Sequence, residues 1–305
     1  MLNRKVGTMS QVTEPLIYST LKLERNDGGS GTGFLFKDED KDGGSVPLII
    51  TNFHVIDGCQ SIKFNTHGVN NGEVSGIHTF EITDINQLSI RHPNKDIDLV
   101  AIPVSKILQN ALVEGTFFAT HIDSSVFVDE ELDQLDAVEE VLMVGYPNGL
   151  TDEVNNHPLF RRGITATHPL SDFRNQPVGV VDIAAFPGSS GSPIYMHRRA
   201  NLFTQKLDKS IDTRRQEYIK LLGILFAGPQ IDAAGEFEII EIPNKQMAFG
   251  SSRVMMNLGY YVKARELKTL LDLIYEHIGF VPVDVRQGNT VSSAIEASGQ
   301  TDSTP

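Results

Sequence analysis

Apolar residues along this chain gather in short runs, separated by glycine, asparagine, aspartate and proline. Leu48-Ile49-Ile50, Leu99-Val100-Ala101-Ile102, Val141-Leu142-Met143-Val144 and Leu221-Leu222-Gly223-Ile224-Leu225-Phe226 are the clearest. Runs of that length, bounded by turn residues, predict β-strands. Helical spacing is plain only near the end, where Leu267, Leu270, Leu271, Ile274 and Ile278 recur on one face. The pattern therefore predicts an all-β body closed by a C-terminal helix. A crowd of acidic residues before the Val141 strand places a seam near residues 125–140. No internal repeat is visible.

Three strand ends carry candidate chemistry. Phe186-Pro187-Gly188-Ser189-Ser190-Gly191-Ser192-Pro193-Ile194 sets a serine on a glycine-flanked turn leading into an apolar strand. An acyl-transfer nucleophile needs that arrangement, with backbone N–H groups converging on the developing oxyanion. Gly-Ser clusters are also plain turns, so the run alone does not decide. Leu48 to Ile56 is a strand ending at His54, and with Gly31-Thr32-Gly33-Phe34 before it the pair reads as a hairpin that delivers the imidazole to a barrel rim. A lone histidine at a strand end is more often structural. His92-Pro93-Asn94-Lys95-Asp96-Ile97-Asp98 then supplies two acids before an apolar strand. Choosing Asp96 would bury Asp98 inside that strand as an unpaired carboxylate, so Asp98 is preferred and Asp96 reads as a loop acid.

These segments, with Val144-Gly145-Tyr146-Pro147, match in order and spacing a known group. The chain resembles trypsin-like serine peptidases of the chymotrypsin fold, in the bacterial branch near the high-temperature-requirement proteases and glutamyl endopeptidases. The resemblance implies a double six-stranded antiparallel β-barrel with a C-terminal α-helix. It divides the chain into a flexible N-terminus (1–15), a peptidase domain (16–281) and a disordered tail (282–305). Within the domain, barrel one spans about 16–125, barrel two about 140–262 and the helix about 263–278.

The resemblance also assigns roles. His54, Asp98 and Ser190 would be catalytic, and the N–H groups of Gly188 and Ser190 would bind the oxyanion. Ala184 would form the base of the specificity pocket, with Ala227 and Gly228 as its wall and substrate-pairing backbone. Trypsin places an aspartate where Ala184 stands, so a neutral pocket for a small or medium apolar side chain is expected. Ser189 occupies the place of the acid that pairs with a freshly cut N-terminus in trypsin zymogens, so that activation switch is expected to be missing. The turn Gly145-Tyr146-Pro147-Asn148-Gly149 receives no catalytic role.

Composition adjusts the picture in a few places. The chain has 305 residues, 40% of them hydrophobic and 21% charged, which is ordinary globular material. A formal net charge of −13 argues against nucleic acid and anionic membranes as partners. A protein or peptide substrate is expected, with no metal or other cofactor. One cysteine, Cys59, allows no internal disulfide, and no apolar run suits a signal peptide or membrane span, so a cytoplasmic setting is expected. The basic stretch 196–220, with Arg198, Arg199, Lys206, Lys209, Arg214, Arg215 and Lys220, reads as a solvated hairpin or as a docking loop for a regulatory partner. Asp38-Glu39-Asp40-Lys41-Asp42-Gly43 imitates half of a calcium loop but puts Ile49 where the bidentate glutamate belongs. Gly29-Ser30-Gly31-Thr32-Gly33 leads into a strand, so no helix N-terminus is available to make it a phosphate loop. A second reading stays open: an idle trypsin-like fold serving as a binding or scaffold module.

Overall fold

Leu48, Ile49 and Ile50 are all completely buried, so the strand that holds them is covered on both faces. The computed structural model describes residues 12–70, 73–114, 117–128, 135–205, 211–228, 230–238 and 247–283. The proposed disordered tail lies outside these residues from 284 onward, as do residues 1–11 of the N-terminal segment.

The N-terminal sheet contains β1 (Thr20–Arg25), β2 (Ser30–Glu39), β3 (Ser45–Thr51), β4 (Ser61–Asn70), β5 (Glu73–Thr83), β6 (Ile90–Arg91), β7 (Val100–Pro103) and β8 (Phe117–Phe118). Its order is β5-β4-β1-β2-β3-β7-β6, with β8 on β4. Alternation along the strands sorts side chains between two cores. Leu35, Ile49, Val100 and Ile102 join Leu23, Val55, Ile62 and Phe64 in the sheet's own interior. Phe34, Phe36, Leu48, Ile50 and Ala101 face the other way, into a core shared with the C-terminal half.

That half adds β9 (Glu140–Gly145), β10 (Leu159–Thr165), β11 (Val178–Asp182), β12 (Pro193–Gln205), β13 (Ile211–Ala227), β14 (Gln230–Glu238), β15 (Met247–Met255) and β16 (Gly259–Lys263). Six of these close into a barrel in the order β10-β11-β16-β13-β12-β9, and β14 and β15 pair as a separate hairpin. Val141, Met143, Val181, Ile194, Leu225 and Tyr261 fill the barrel. Val144, Tyr195, Leu221, Ile224 and Val262 instead join the shared core, together with Leu267, Leu270, Leu271 and Ile274 of the C-terminal helix Ala264–Ile278. The helix therefore fastens the two halves together. It stops because Gly279 adopts φ +67°, and Phe280 N–H returns to Tyr275 O at 2.9 Å. The two aromatic rings then meet at 4.9 Å, the apolar contact that accompanies this kind of cap.

Side chains that suggested other chemistry have local duties. Asp38 is buried and accepts from Ser124 N (2.8 Å), Ser124 Oγ (2.5 Å) and the Tyr275 hydroxyl (3.0 Å). Asp40 accepts from the N–H groups of Asp42 and Gly44 in the β2–β3 turn. In the basic hairpin, Arg198 pairs with Glu139 and Arg199 with Glu217. Lys220 donates to the carbonyls of Ser125 and Phe127, each at 3.1 Å. Lys206, Lys209 and the side chains of Arg214 and Arg215 lie outside the described part.

Candidate active site

A single helical turn, Phe53–Ile56, follows β3 and carries His54, whose side chain is about half exposed. Two groups hold that turn. Arg25 donates to Val55 O at 3.0 Å, satisfying a carbonyl the short helix leaves open. The Asn52 amide does not cap the helix but donates to Asp98 O at 2.8 Å, tying the histidine loop to the acid loop. Ile97 and Leu99 are buried on either side of Asp98 and fix the direction of its side chain. Asp98 Oδ2 meets His54 Nδ1, and Asp98 Oδ1 accepts the His54 backbone N–H at 3.0 Å. Asp96 is exposed and caps only its own loop, its N–H donating to Asn94 Oδ1.

Partial burial raises the Asp98 carboxyl, but hydrogen bonds from the His54 ring and from the backbone of His54 and Phe53 outweigh it. The net shift is below the ordinary carboxylate value. An ionised carboxylate only accepts, so the His54 Nδ1 that meets it is a protonated ring nitrogen.

Ser190 sits on the tight turn between the β11 side of the barrel and β12. Gly188 and Gly191 flank it with φ +85° and +87°. A Cβ on Gly191 would lie 1.8 Å from Thr32 O, so no other residue fits there. The turn is closed by Ser189 N–H to Phe186 O and Ser192 N–H to Ser189 O, both 3.0 Å. Among the described residues, the N–H groups of Gly188 and Ser190 make no hydrogen bond, and both are available to a ligand. The Ser190 hydroxyl donates to Phe226 O at 3.4 Å, a long contact, rather than to His54.

Two residues without a part in the site as read from the motifs hold these pieces together. Thr32 N–H donates to Ser190 O (2.8 Å), its hydroxyl donates to Gly188 O (2.9 Å), and the same oxygen accepts Tyr146 N–H (3.0 Å). Its own carbonyl accepts the Thr51 hydroxyl at 2.7 Å, two residues before the helical turn. Thr32 is thus the joint between histidine and serine halves. Asn148, at φ +51°, donates its N–H to Pro187 O and so sets the plane of the peptide whose nitrogen is Gly188 N. Asparagine tolerates that conformation better than most residues, and the Gly-Tyr-Pro-Asn-Gly turn was the available signal.

Beside Ser190 lies a cleft lined by Ala185, Phe186, Pro187, Leu225, Ala227 and Gly228. Ala227 and Gly228 stand on the wall. Ala184 lies one residue beyond this lining, its carbonyl taken by Arg161. Ser189 is completely buried, and its hydroxyl has no partner among the described residues.

A sheet and a closed barrel sharing a core, with a helix across both, define the chymotrypsin-like class. The chain belongs to the family described as trypsin-like peptidase domain, whose pattern matches residues 31–202. No curated protein matches it in sequence. Among solved structures, it is similar to a scabies mite inactivated protease paralogue, at 9% identity and TM-score 0.45, covering 86% of this chain and 96% of that one. It is also similar to a thermostable serine protease of an extremophilic microorganism, at 13% identity and TM-score 0.39, covering 84% and 95%.

Proposed function

We propose that the chain is a serine endopeptidase that cleaves peptide bonds through an acyl-enzyme, with Ser190 as nucleophile, His54 as general base and Asp98 as the orienting acid. The observation that carries this is the pairing of His54 with ionised Asp98, together with two N–H groups on the serine turn that make no hydrogen bond among the described residues. The Ser190 hydroxyl turns from Phe226 O toward His54 Nε2 and attacks the scissile carbonyl. His54 takes its proton and returns it to the departing amine. Gly188 and Ser190 N–H groups receive the oxyanion, and losing one such donor costs about 2.7–4 kcal/mol in the barrier. Water then repeats the sequence on the acyl-enzyme. The route draws on no metal or organic cofactor.

The finer placement is the bacterial branch near the high-temperature-requirement proteases and glutamyl endopeptidases, acting in the cytoplasm on protein or peptide substrates. Nucleic acid and membranes are not its partners. Ser189 brings no charge to its buried position, so a new N-terminus has nothing there to pair with, and activation by chain cleavage of the trypsin kind is not used.

The second reading, an idle binding module, is favoured by one observation: the hydroxyl faces Phe226 O, not the imidazole. A fluorophosphonate probe separates the two. Covalent labelling of Ser190 that disappears in His54→Ala supports the peptidase. Folded protein that takes no label supports the idle module.

A further inference from the structure

Arg91 ends β6 directly opposite Val100 of β7, so residues 92–99 form a loop that leaves from this arginine and returns beside it, with Asp98 near its end. The His92 N–H closes the neck of the loop on Leu99 O at 3.0 Å. The Arg91 guanidinium makes two further contacts. Its Nη2 donates to Lys95 O at 2.6 Å, and its Cζ stands 3.8 Å from the centroid of the Phe53 ring. Phe53 is the first residue of the helical turn that carries His54, and its backbone helps to hold Asp98 ionised. One side chain thus touches the acid loop with its edge and the histidine turn with its flat face.

Packing alone does not account for an arginine here. Arg25, which holds the other end of the same turn at Val55 O, has Asp27 to balance its charge. Arg91 has no carboxylate partner among the described residues, and its Nε is buried there without a hydrogen bond. A partly buried cation left in that state costs stability. Methionine would fill the space beside Phe53 without that cost. What methionine lacks is the pairing of a planar face with in-plane donors, which guanidinium alone among side chains offers. The second tie also has a geometric purpose. The Asn52 amide holds the loop at Asp98 O, and a single tie leaves the segment free to pivot about it. Holding Lys95 O as well fixes the direction in which Asp98 points.

We propose that Arg91 is a positioning residue for the general base: by bridging Phe53 and Lys95 it keeps the His54 ring and the Asp98 carboxylate in register. The inference rests on the peptidase reading above and adds a residue to its machinery. Arg91 touches neither the imidazole nor the carboxylate and acts through the backbone on either side of them.

Arg91→Met keeps the length of the side chain and removes its donors and charge. Fluorophosphonate labelling of Ser190 should slow about tenfold, since a misplacement of about 1 Å costs up to about 10²-fold and Asn52 retains part of the placement. Arg91→Lys should recover part of the rate, because an ammonium reaches either the ring or the carbonyl but not both. Phe53→Leu combined with Arg91→Met should cost less than the product of the two single effects, as for residues that act through one contact. An unchanged rate in Arg91→Met, or a full product in the double variant, overturns the proposal. A second measurement needs no turnover. In Ser190→Ala protein, NMR follows the downfield proton on His54 Nδ1, assigned by its loss in His54→Gln; a hydrogen bond to a fixed carboxylate protects it from exchange. Arg91→Met should broaden this signal at temperatures where the protein is fully folded. A merely structural arginine would lower the melting temperature and leave the proton sharp below it. Broadening upholds the proposal even if Ser190 takes no fluorophosphonate. A proton equally sharp in both proteins, or missing already with Arg91 in place, overturns it even if Ser190 labels. If Arg91→Met fails to fold, Arg91→Lys decides, and a wild-type rate and signal in that variant overturn the proposal.

Discussion

The two sides of the candidate site are built to different standards of rigidity. On the N-terminal side, His54 and Asp98 are joined through side chain and backbone, and Asn52 and Arg25 anchor both loops. On the C-terminal side, the serine turn has a fixed backbone, but its working groups are unengaged. The N–H donors of Gly188 and Ser190 make no internal bond, and the hydroxyl has only a 3.4 Å contact. The contrast has a physical basis. A base must already hold the correct tautomer, which requires fixed partners, whereas an oxyanion site stabilises charge only if its donors are not already satisfied.

Removing the acid should have the larger consequence. Asp98→Asn keeps the shape but can donate to Nδ1, which reverses the tautomer. A fall in kcat of about 10⁴ is expected, with the fold unchanged by circular dichroism. A loss of less than tenfold would mean the ring is held by something other than this carboxylate.

Thr32 tests the joint between the halves. Thr32→Val keeps the volume but strands Gly188 O and Tyr146 N–H, at about 1–3 kcal/mol for each buried group left unpaired. Unfolding in urea should show the lower stability, and fluorophosphonate labelling should slow with it. Thr32→Ser restores the hydroxyl and should recover most of both. Equal behaviour of the Val and Ser variants would remove Thr32 from the joint.

Much of this architecture could be read from the residues. Short apolar runs and one helical stripe indicated the strand-rich body and its closing helix, because burial on two faces leaves continuous apolar stretches at β3 and β7. His54, Asp98 and Ser190 stood out because each ends or begins such a run. The supporting residues did not. Thr32 looked like part of a glycine-started strand, since its four hydrogen-bonding partners come from segments far apart in sequence. Asn148 acts through its backbone N–H, a group every residue but proline carries. Arg161 looked like its neighbour Arg162, yet Arg162 pairs with Glu140 while Arg161 donates to the Ala184 carbonyl. Asp38 shows the reverse case, a suggestive ligand pattern used instead to fasten Ser124 and Tyr275.

A smaller effect contrasts the interior with the candidate site. Burial holds the His67 imidazole down to about 4 and His121 down to about 3. In an unfolded chain both titrate near 6.5. As pH falls from about 6.5 toward 4 the unfolded state therefore takes up protons that the folded state refuses, and stability declines; His121 carries the decline on toward 3. Both His121 ring nitrogens are buried without partners among the described residues, so His121→Leu removes no hydrogen bond seen there. It should reduce the proton uptake on unfolding at pH 5 by about one, read from the slope of stability against pH. An unchanged slope would show that this ring protonates freely in the folded protein.

The most direct test of the whole account is a crystal structure of the fluorophosphonate adduct. Phosphorus should be bonded to Ser190 Oγ, with the hydroxyl's contact with Phe226 O lost and His54 Nε2 turned to the adduct while Asp98 stays on Nδ1. The phosphonyl oxygen should accept from Gly188 and Ser190 N–H. An adduct on another residue, or a phosphonyl oxygen pointing away from both N–H groups with His54 out of reach, would contradict it.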